Sequence, residues 1–391
     1  MGQTKRRIDR ETEYGYTSID SRVCNLCVSD KHIKQFIKEI GEESKCDYCK
    51  KNRAKTVDFN GFIEYFLKYV DTEYRNPLEV FVNFDDGETF GIFELLDNCD
   101  IDLTEQESLR NHVIDSLSDR EWCKVPYYHY EESDALKAGW EKFAEVAKKF
   151  RFTYQQHDDE HFDEPIRPSA FLEALSYVIS QVGLYKRLSK GTFLYRVRIH
   201  NKKEKLTTAS ELAVPPADRA IYPNRMSPSG VPMFYGTFDI GTAIKETYSV
   251  KYGEQIATVA KFKLLQDIDL VDLGKIPPYL GFFEEANYSN HQIEFLNDFV
   301  TAISAPIDKD GREHIDYVPT QIITEHLRYV HHKSYENEQI HGLIYPSSKL
   351  NGKKSVVIFC ENEHCVEKGE AKKDSFFELE SLKRVNPKNY I

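Results

Sequence analysis

Tyr195-Arg196-Val197-Arg198 lies inside a run of aromatic and β-branched residues, 193–199, that reads as a β-strand. Outward from it, 231–236, 256–264 and 268–273 read as further strands, and 340–345 and 355–360 as two closing ones. Helical spacing is expected at 171–188, 241–248, 291–303 and 320–331. Strands alternating with helices predict an α+β module over 166–391, whose polar residues at strand ends line one cleft. A charged, proline-containing stretch at 155–168 marks the expected boundary in front of it.

The N-terminal part reads differently. Cys24-x-x-Cys27 and Cys46-x-x-Cys49 are separated by 18 residues, which is zinc spacing. Each pair presents two thiolates to one metal, and four thiolates close a tetrahedron with no position left for water, so a structural Zn2+ is expected at Cys24, Cys27, Cys46 and Cys49. Cys99, Cys123, Cys360 and Cys365 lack comparable spacing and read as ordinary cysteines. The tract 45–55 is basic and contains Tyr48, which suits phosphate contact and base stacking; a solvated zinc knuckle is the favoured reading, since zinc turns often carry Lys and Arg for solubility, and nucleic-acid binding is not favoured. From 57 to 150 the apolar spacing is mostly helical. Thr104-x-x-Glu107 has the form of a capping box opening a helix with Leu109, Val113, Ile114 and Leu117 on one face, and another helix is expected at 135–150. The segments 78–84 and 89–95 around Asp85-Asp86-Gly87 fit a hairpin as well as helix.

The chain has 391 residues, 40% of them hydrophobic, enough for two or three domains with real cores. No apolar run approaches the roughly 18 residues of a membrane helix, and residues 2–13 are polar, unlike a secretory signal, so a cytoplasmic protein is expected. A formal net charge of −12 disfavours a general nucleic-acid coat. Neither Gly-x-Gly-x-x-Gly nor Gly-x-x-x-x-Gly-Lys-[Ser/Thr] occurs, which removes Rossmann and P-loop readings.

Tyr195-Arg196-Val197-Arg198, Arg225-Met226-Ser227-Pro228, Phe234-Tyr235-Gly236, Ala243-Ile244-Lys245-Glu246 and Gly342-Leu343-Ile344-Tyr345-Pro346-Ser347, in that order, resemble a RES domain. The resemblance covers roughly residues 170–365, about half the chain, and 57–165 resembles the helical HEPN/RES domain found in front of some RES modules. It implies a fold similar to ADP-ribosyltransferases and an enzyme that consumes NAD as substrate. Arg196, Glu246 and Ser347 match the family's Arg, Glu and Ser, with Ser348 adjacent to the last of them; Arg225, Tyr235 and Tyr195 are then expected to bind substrate. The implied chemistry is cleavage of the nicotinamide–ribose bond by phosphorolysis or hydrolysis in a toxin-like protein, with inorganic phosphate as a co-substrate and an antitoxin or regulatory protein as partner. Protein ADP-ribosylation is the alternative activity, and a zinc-dependent scaffold with an inactive RES module the alternative class. Active HEPN nucleases use an Arg and a His four to six residues apart; Arg151 and His157 have that spacing, at about the frequency 13 His in 391 residues produce by chance. The expected layout is a polar segment at 1–20, a zinc module at 21–56, a helical domain at 57–165 and the RES domain at 166–391.

Overall fold

Nine strands of the C-terminal half pair into one mixed sheet, and the place where two of them separate positions the site. A computed structural model describes residues 15–77, 89–124, 132–158, 163, 165–248, 255–306, 311–331 and 339–390. It divides into two compact units, one of residues 1–128 with 280–286, the other of 129–279 with 287–391. The segment 78–88, and with it most of the tentative hairpin, lies outside the described residues. Residues 92–98, in its second half, are helical.

In the first unit β1 (Arg22–Cys24), β2 (Glu42–Ser44) and β3 (Ala54–Asp58) form a sheet in the order β1-β3-β2, with α1 (Lys31–Ile40) between β1 and β2. Helix α2 (Phe59–Glu73) opens on Asp58, whose carboxylate accepts from the Gly61 N–H at 2.7 Å. Its apolar face, Phe59, Phe62, Ile63 and Phe66, is fully buried among residues of α1, α3 (Ile92–Asn98) and α4 (Glu107–Leu117). Strands β4 (Tyr74–Arg75) and β5 (Cys123–Lys124) pair beside this core. Thr104 does not cap α4 as its capping-box pattern predicted. Gln106 holds the N-cap position, while the buried Thr104 hydroxyl donates to the Cys27 carbonyl and accepts from the Gln106 N–H at 2.9 Å. A hydroxyl so engaged works as an anchor for the first cysteine turn.

The second unit begins with α5 (Glu132–Phe150) and α6 (Phe171–Val182). The helix expected over 171–188 stops early because Gly183 takes φ +71°, a left-handed C-cap, after which β6 (Tyr185–Leu188) forms. The large sheet has the order β13-β14-β9-β7-β8-β12-β11-β10-β6, where β7 is Phe193–Asn201, β8 Phe234–Thr237, β9 Gln255–Leu264, β10 Ile268–Asp272, β11 Ile340–Pro346, β12 Lys354–Ile358, β13 Cys365–Glu367 and β14 Phe377–Val385. Neighbours pair antiparallel except β10/β11 and β13/β14. Successive side chains point to opposite faces, and the central strands bury residues on both. Leu343 and Val357 face a core shared with α5, α6, α9 (Asn290–Ser304) and α11 (Val318–Tyr329), whereas Ile344, Val356 and Ile358 join Leu194, Phe234 and Phe262 under α7 (Ala209–Leu212). Helix α8 (Ile240–Thr247) covers Val197 and Val259, and the short α10 (Glu313–Asp316) leads into α11. Helix α5 belongs to this second core, where Phe143 stacks on Phe171 with centroids 5.1 Å apart. The described elements, eleven helices and a large mixed sheet, make the fold α+β.

Candidate active site

Strands β7 and β8 pair at a single position, Tyr195 opposite Thr237, and separate beyond it. A cavity of about 850 Å3 opens there. Its wall includes Tyr195, Arg196, Arg225, Tyr235 and Glu246, five of the six residues expected in the cleft; Ser347 stands behind the wall and its neighbour Ser348 on it.

Arg196 crosses the gap between the strands. Its Nη1 donates to the Tyr235 carbonyl at 2.8 Å and its guanidinium lies 5.5 Å from the Phe234 ring centre. Burial, with Arg198 beside it, pushes the guanidinium down to about 9. Arg198, two residues along the same strand and so on the same face, donates through Nη2 to the Ala213 carbonyl at 3.0 Å, and burial lowers its pKa as well. The Nε atoms of both arginines are shielded from solvent and find no acceptor among the described residues. Among the described residues neither guanidinium has a carboxylate partner, and two such donor groups side by side suit the geometry of an anion with several oxygens.

Glu246 lies in the last turn of α8, which opens on Asp239 accepting from the Thr242 N–H at 2.9 Å. The Ser347 hydroxyl donates to one carboxylate oxygen and the Ser348 hydroxyl reaches the other at 3.5 Å. Lys349 closes the arrangement, its ammonium donating to the carbonyls of Lys245 at 2.7 Å, Glu246 at 2.9 Å and Tyr248 at 3.2 Å. Those are the carbonyls a helix end leaves without partners, so the 347–349 turn holds both the carboxylate and the helix that carries it.

Arg225 does more than border the cleft. Its Nη1 donates to the Ile303 carbonyl and Nη2 to that of Ala305 at 2.6 Å, tying the wall to the end of α9. Gln321 fixes the same loop, donating to the Asn224 carbonyl at 2.9 Å and that of Ser227 at 3.2 Å, and the Thr320 hydroxyl donates to the Arg225 carbonyl. The Tyr235 hydroxyl meets Ser227 Oγ at 3.0 Å, and burial pushes its pKa up to about 12. Tyr195 packs with its neighbours under α8. Arg198 and Lys349 were not expected in the site; Arg198 was legible from its i+2 spacing on a strand, whereas Lys349 depends on a turn and a helix end meeting in space.

Cys24, Cys27, Cys46 and Cys49 converge in the first unit, all four sulfurs within 4.8 Å of one another. Tetrahedral bonds of about 2.3 Å to a central metal put sulfurs about 3.8 Å apart. The observed separations are 3.5 Å for Cys24–Cys49, 3.6 Å for Cys24–Cys27 and 3.7 Å for Cys27–Cys46. Burial pushes the Cys24 thiol up to about 11, whereas at Cys49 burial is outweighed by hydrogen bonds from the Lys51 backbone and the neighbouring thiols, which bring it down to about 7, so a cation is what would hold Cys24 as a thiolate beside it. The donor set fits a metal ion. Tyr48, considered for base stacking, spends its hydroxyl on Ser21 Oγ at 2.7 Å and His112 Nδ1 at 2.9 Å. Arg151 and His157 belong to the second unit: Arg151 donates to the His314 carbonyl at 3.3 Å, and His157 stacks on Phe150.

A family model described as "RES domain" matches residues 193–377, and one described as "HEPN/RES N-terminal domain 1" matches 39–160. No curated protein and no solved structure gave a significant match. The second match contains Cys46 and Cys49 but begins after Cys24 and Cys27. The first contains Arg196, Arg225, Glu246 and Ser347, and the two together point to an NAD-related, toxin-like family. The chain therefore carries a RES domain over residues 193–377, with an HEPN/RES N-terminal domain in front of it over 39–160.

Proposed function

We propose that this protein degrades NAD by cleaving its nicotinamide–ribose bond, through phosphorolysis or hydrolysis, and so acts as a toxin-like effector. The observation that carries the reading is the occurrence, in one cavity, of two guanidiniums whose Nε atoms find no acceptor among the described residues and a carboxylate held by two serine hydroxyls. Arg196 and Arg198 suit the diphosphate, which offers the oxygens their free N–H groups need. When the glycosidic bond breaks, its electron pair leaves with the nicotinamide nitrogen, cancelling that ring's positive charge, and the ribose carbon gains cationic character. Glu246 is the group suited to lie beside that carbon, and an oriented carboxylate stabilises the developing charge without having to reorganise. Ser347 and Ser348 set its orientation, and Lys349 sets the position of its helix. A phosphate oxygen, or a water whose proton passes to Glu246, then forms the new bond to the ribose carbon. Tyr235 and Tyr195 flank the substrate, and Arg225 holds the wall. The four-cysteine site holds a structural Zn2+, the ion whose bond lengths and ligand preference suit it.

Glu246→Gln keeps the shape and removes the charge. It should lower kcat for nicotinamide release by about a hundredfold or more with little change in KM, whereas Arg196→Lys should act mainly on KM. A Glu246→Gln enzyme with wild-type kcat would remove the carboxylate from the chemistry.

A further inference from the structure

Tyr222 is 77% exposed although it borders the cavity, and Ile221 beside it is 62% exposed. Exposure alone is ordinary for a surface residue, but Tyr222 stands at the edge of the cavity, where its aromatic face is available to a ligand. The backbone around it is pinned on both sides. Arg219 N–H donates to the Pro216 carbonyl at 2.9 Å, Gly230 N–H to the Ala220 carbonyl at 2.8 Å, and Asn224 N–H to the Ser227 carbonyl at 2.8 Å. Gln321 holds Asn224 from α11 and Arg225 holds the loop to the end of α9. The tyrosine is therefore presented on a rigid support, which lowers the entropy cost of stacking on it. Arg219, three residues earlier and also on the wall, has no carboxylate within ion-pair distance among the described residues.

We propose that Tyr222 and Arg219 form the subsite for the nucleoside half of the dinucleotide, with the purine stacked on Tyr222 and Arg219 beside its sugar and phosphate. The inference rests on the reading above. If the diphosphate lies on Arg196 and Arg198 and the nicotinamide ribose at Glu246, the other nucleoside has to occupy the remaining wall. A cavity of about 850 Å3 suits both halves of such a ligand, being near the upper end of ordinary ligand pockets. The exposed aromatic on this hydrogen-bonded loop is where base stacking is available, and stacking accepts a purine through its π-face without requiring a hydrogen-bond code.

The test is calorimetric titration of ADP-ribose, which lacks the scissile bond, into the full-length protein and three variants. Tyr222→Ala should weaken binding by roughly five- to a hundredfold, Tyr222→Phe should keep it within about twofold, and Arg219→Gln should weaken it severalfold. Failure of the wild type to bind ADP-ribose, or binding by Tyr222→Ala within about twofold of wild type, overturns the proposal. Nicotinamide release from NAD by the same preparations separates the two readings. Cleavage with ADP-ribose affinity indifferent to Tyr222 removes the subsite alone, whereas Tyr222-dependent binding without cleavage supports the subsite and removes the proposed reaction.

Discussion

Replacing Gly342 by alanine should break the support of the serine turn without touching the cleft. Gly342 lies on β11 opposite Ile358 of β12. A Cβ there would sit 2.1 Å from the Val357 carbonyl oxygen and 3.0 Å from the Ile358 Cα. Both are backbone atoms, so no rotamer relieves the contact, and the strands have to part by about 1 Å to restore van der Waals spacing. Overpacking of this kind costs about 1–3 kcal/mol, and the upper half of that range applies where backbone has to yield. With about 2–4 °C of Tm per kcal/mol in a domain of this size, Gly342→Ala should melt about 4–12 °C below wild type. Because β11 leads directly into Ser347, whose hydroxyl holds Glu246, nicotinamide release should fall at temperatures where the variant is still folded. Scanning calorimetry and a nicotinamide assay on the same samples check both effects. A variant with wild-type Tm and wild-type turnover would refute the argument that close approach of β11 and β12 holds the turn in place.

Acid should destabilise the second unit partly through His326. Its Nε2 meets Ser176 Oγ at 2.9 Å and burial depresses its pKa, so the folded chain keeps the ring neutral while the unfolded chain protonates near the ordinary 6.5. Stability is then lost as pH falls below 6.5 toward the lower folded value, and His326→Gln should show a shallower fall in Tm between about pH 7 and about pH 5; equal slopes would exclude His326 as the cause. Metal analysis of the purified protein should find one zinc per chain. Chelation, or Cys46→Ser, should unfold the first unit, because metal binding in such sites supplies folding energy of order 10 kcal/mol. Zinc-free protein with an unchanged melting profile would contradict that.

Much of the second unit was legible because local and global signals agree there. The aromatic and β-branched run at 193–199 is β7 with two more residues, and the run at 256–264 is β9 with one more. The helix expected at 291–303 is α9 to within one residue at each end. The expected strand at 231–236 begins later, at Phe234, since Pro232 supplies no N–H to a ladder. Strand β14 went unread although Phe377-Glu378-Leu379 alternates, because the charged residues that follow mask the pattern. Helix α5 illustrates a harder limit: its periodicity is plain, but nothing local says that Phe143 packs on Phe171, some thirty residues on, and so belongs to the second core. In the site, residue types were readable and partners were not. Arg225 reads as a phosphate ligand until its terminal nitrogens are found on the carbonyls that end α9, and Lys349 has no local mark at all. The cysteine spacing transferred almost unaided, since two Cys-x-x-Cys turns carry most of a tetrahedral site within themselves.

Cleavage of NAD is read directly by mass-spectrometric analysis of NAD incubated with the purified full-length protein, with and without phosphate, beside Glu246→Gln. Free nicotinamide should appear with wild type and be lost with the variant. ADP-ribose phosphate formed only with phosphate identifies phosphorolysis and free ADP-ribose identifies hydrolysis, while ADP-ribose mass added to a protein would mean transfer instead. NAD left intact by wild type under every condition would contradict the claim that this cleft cleaves it.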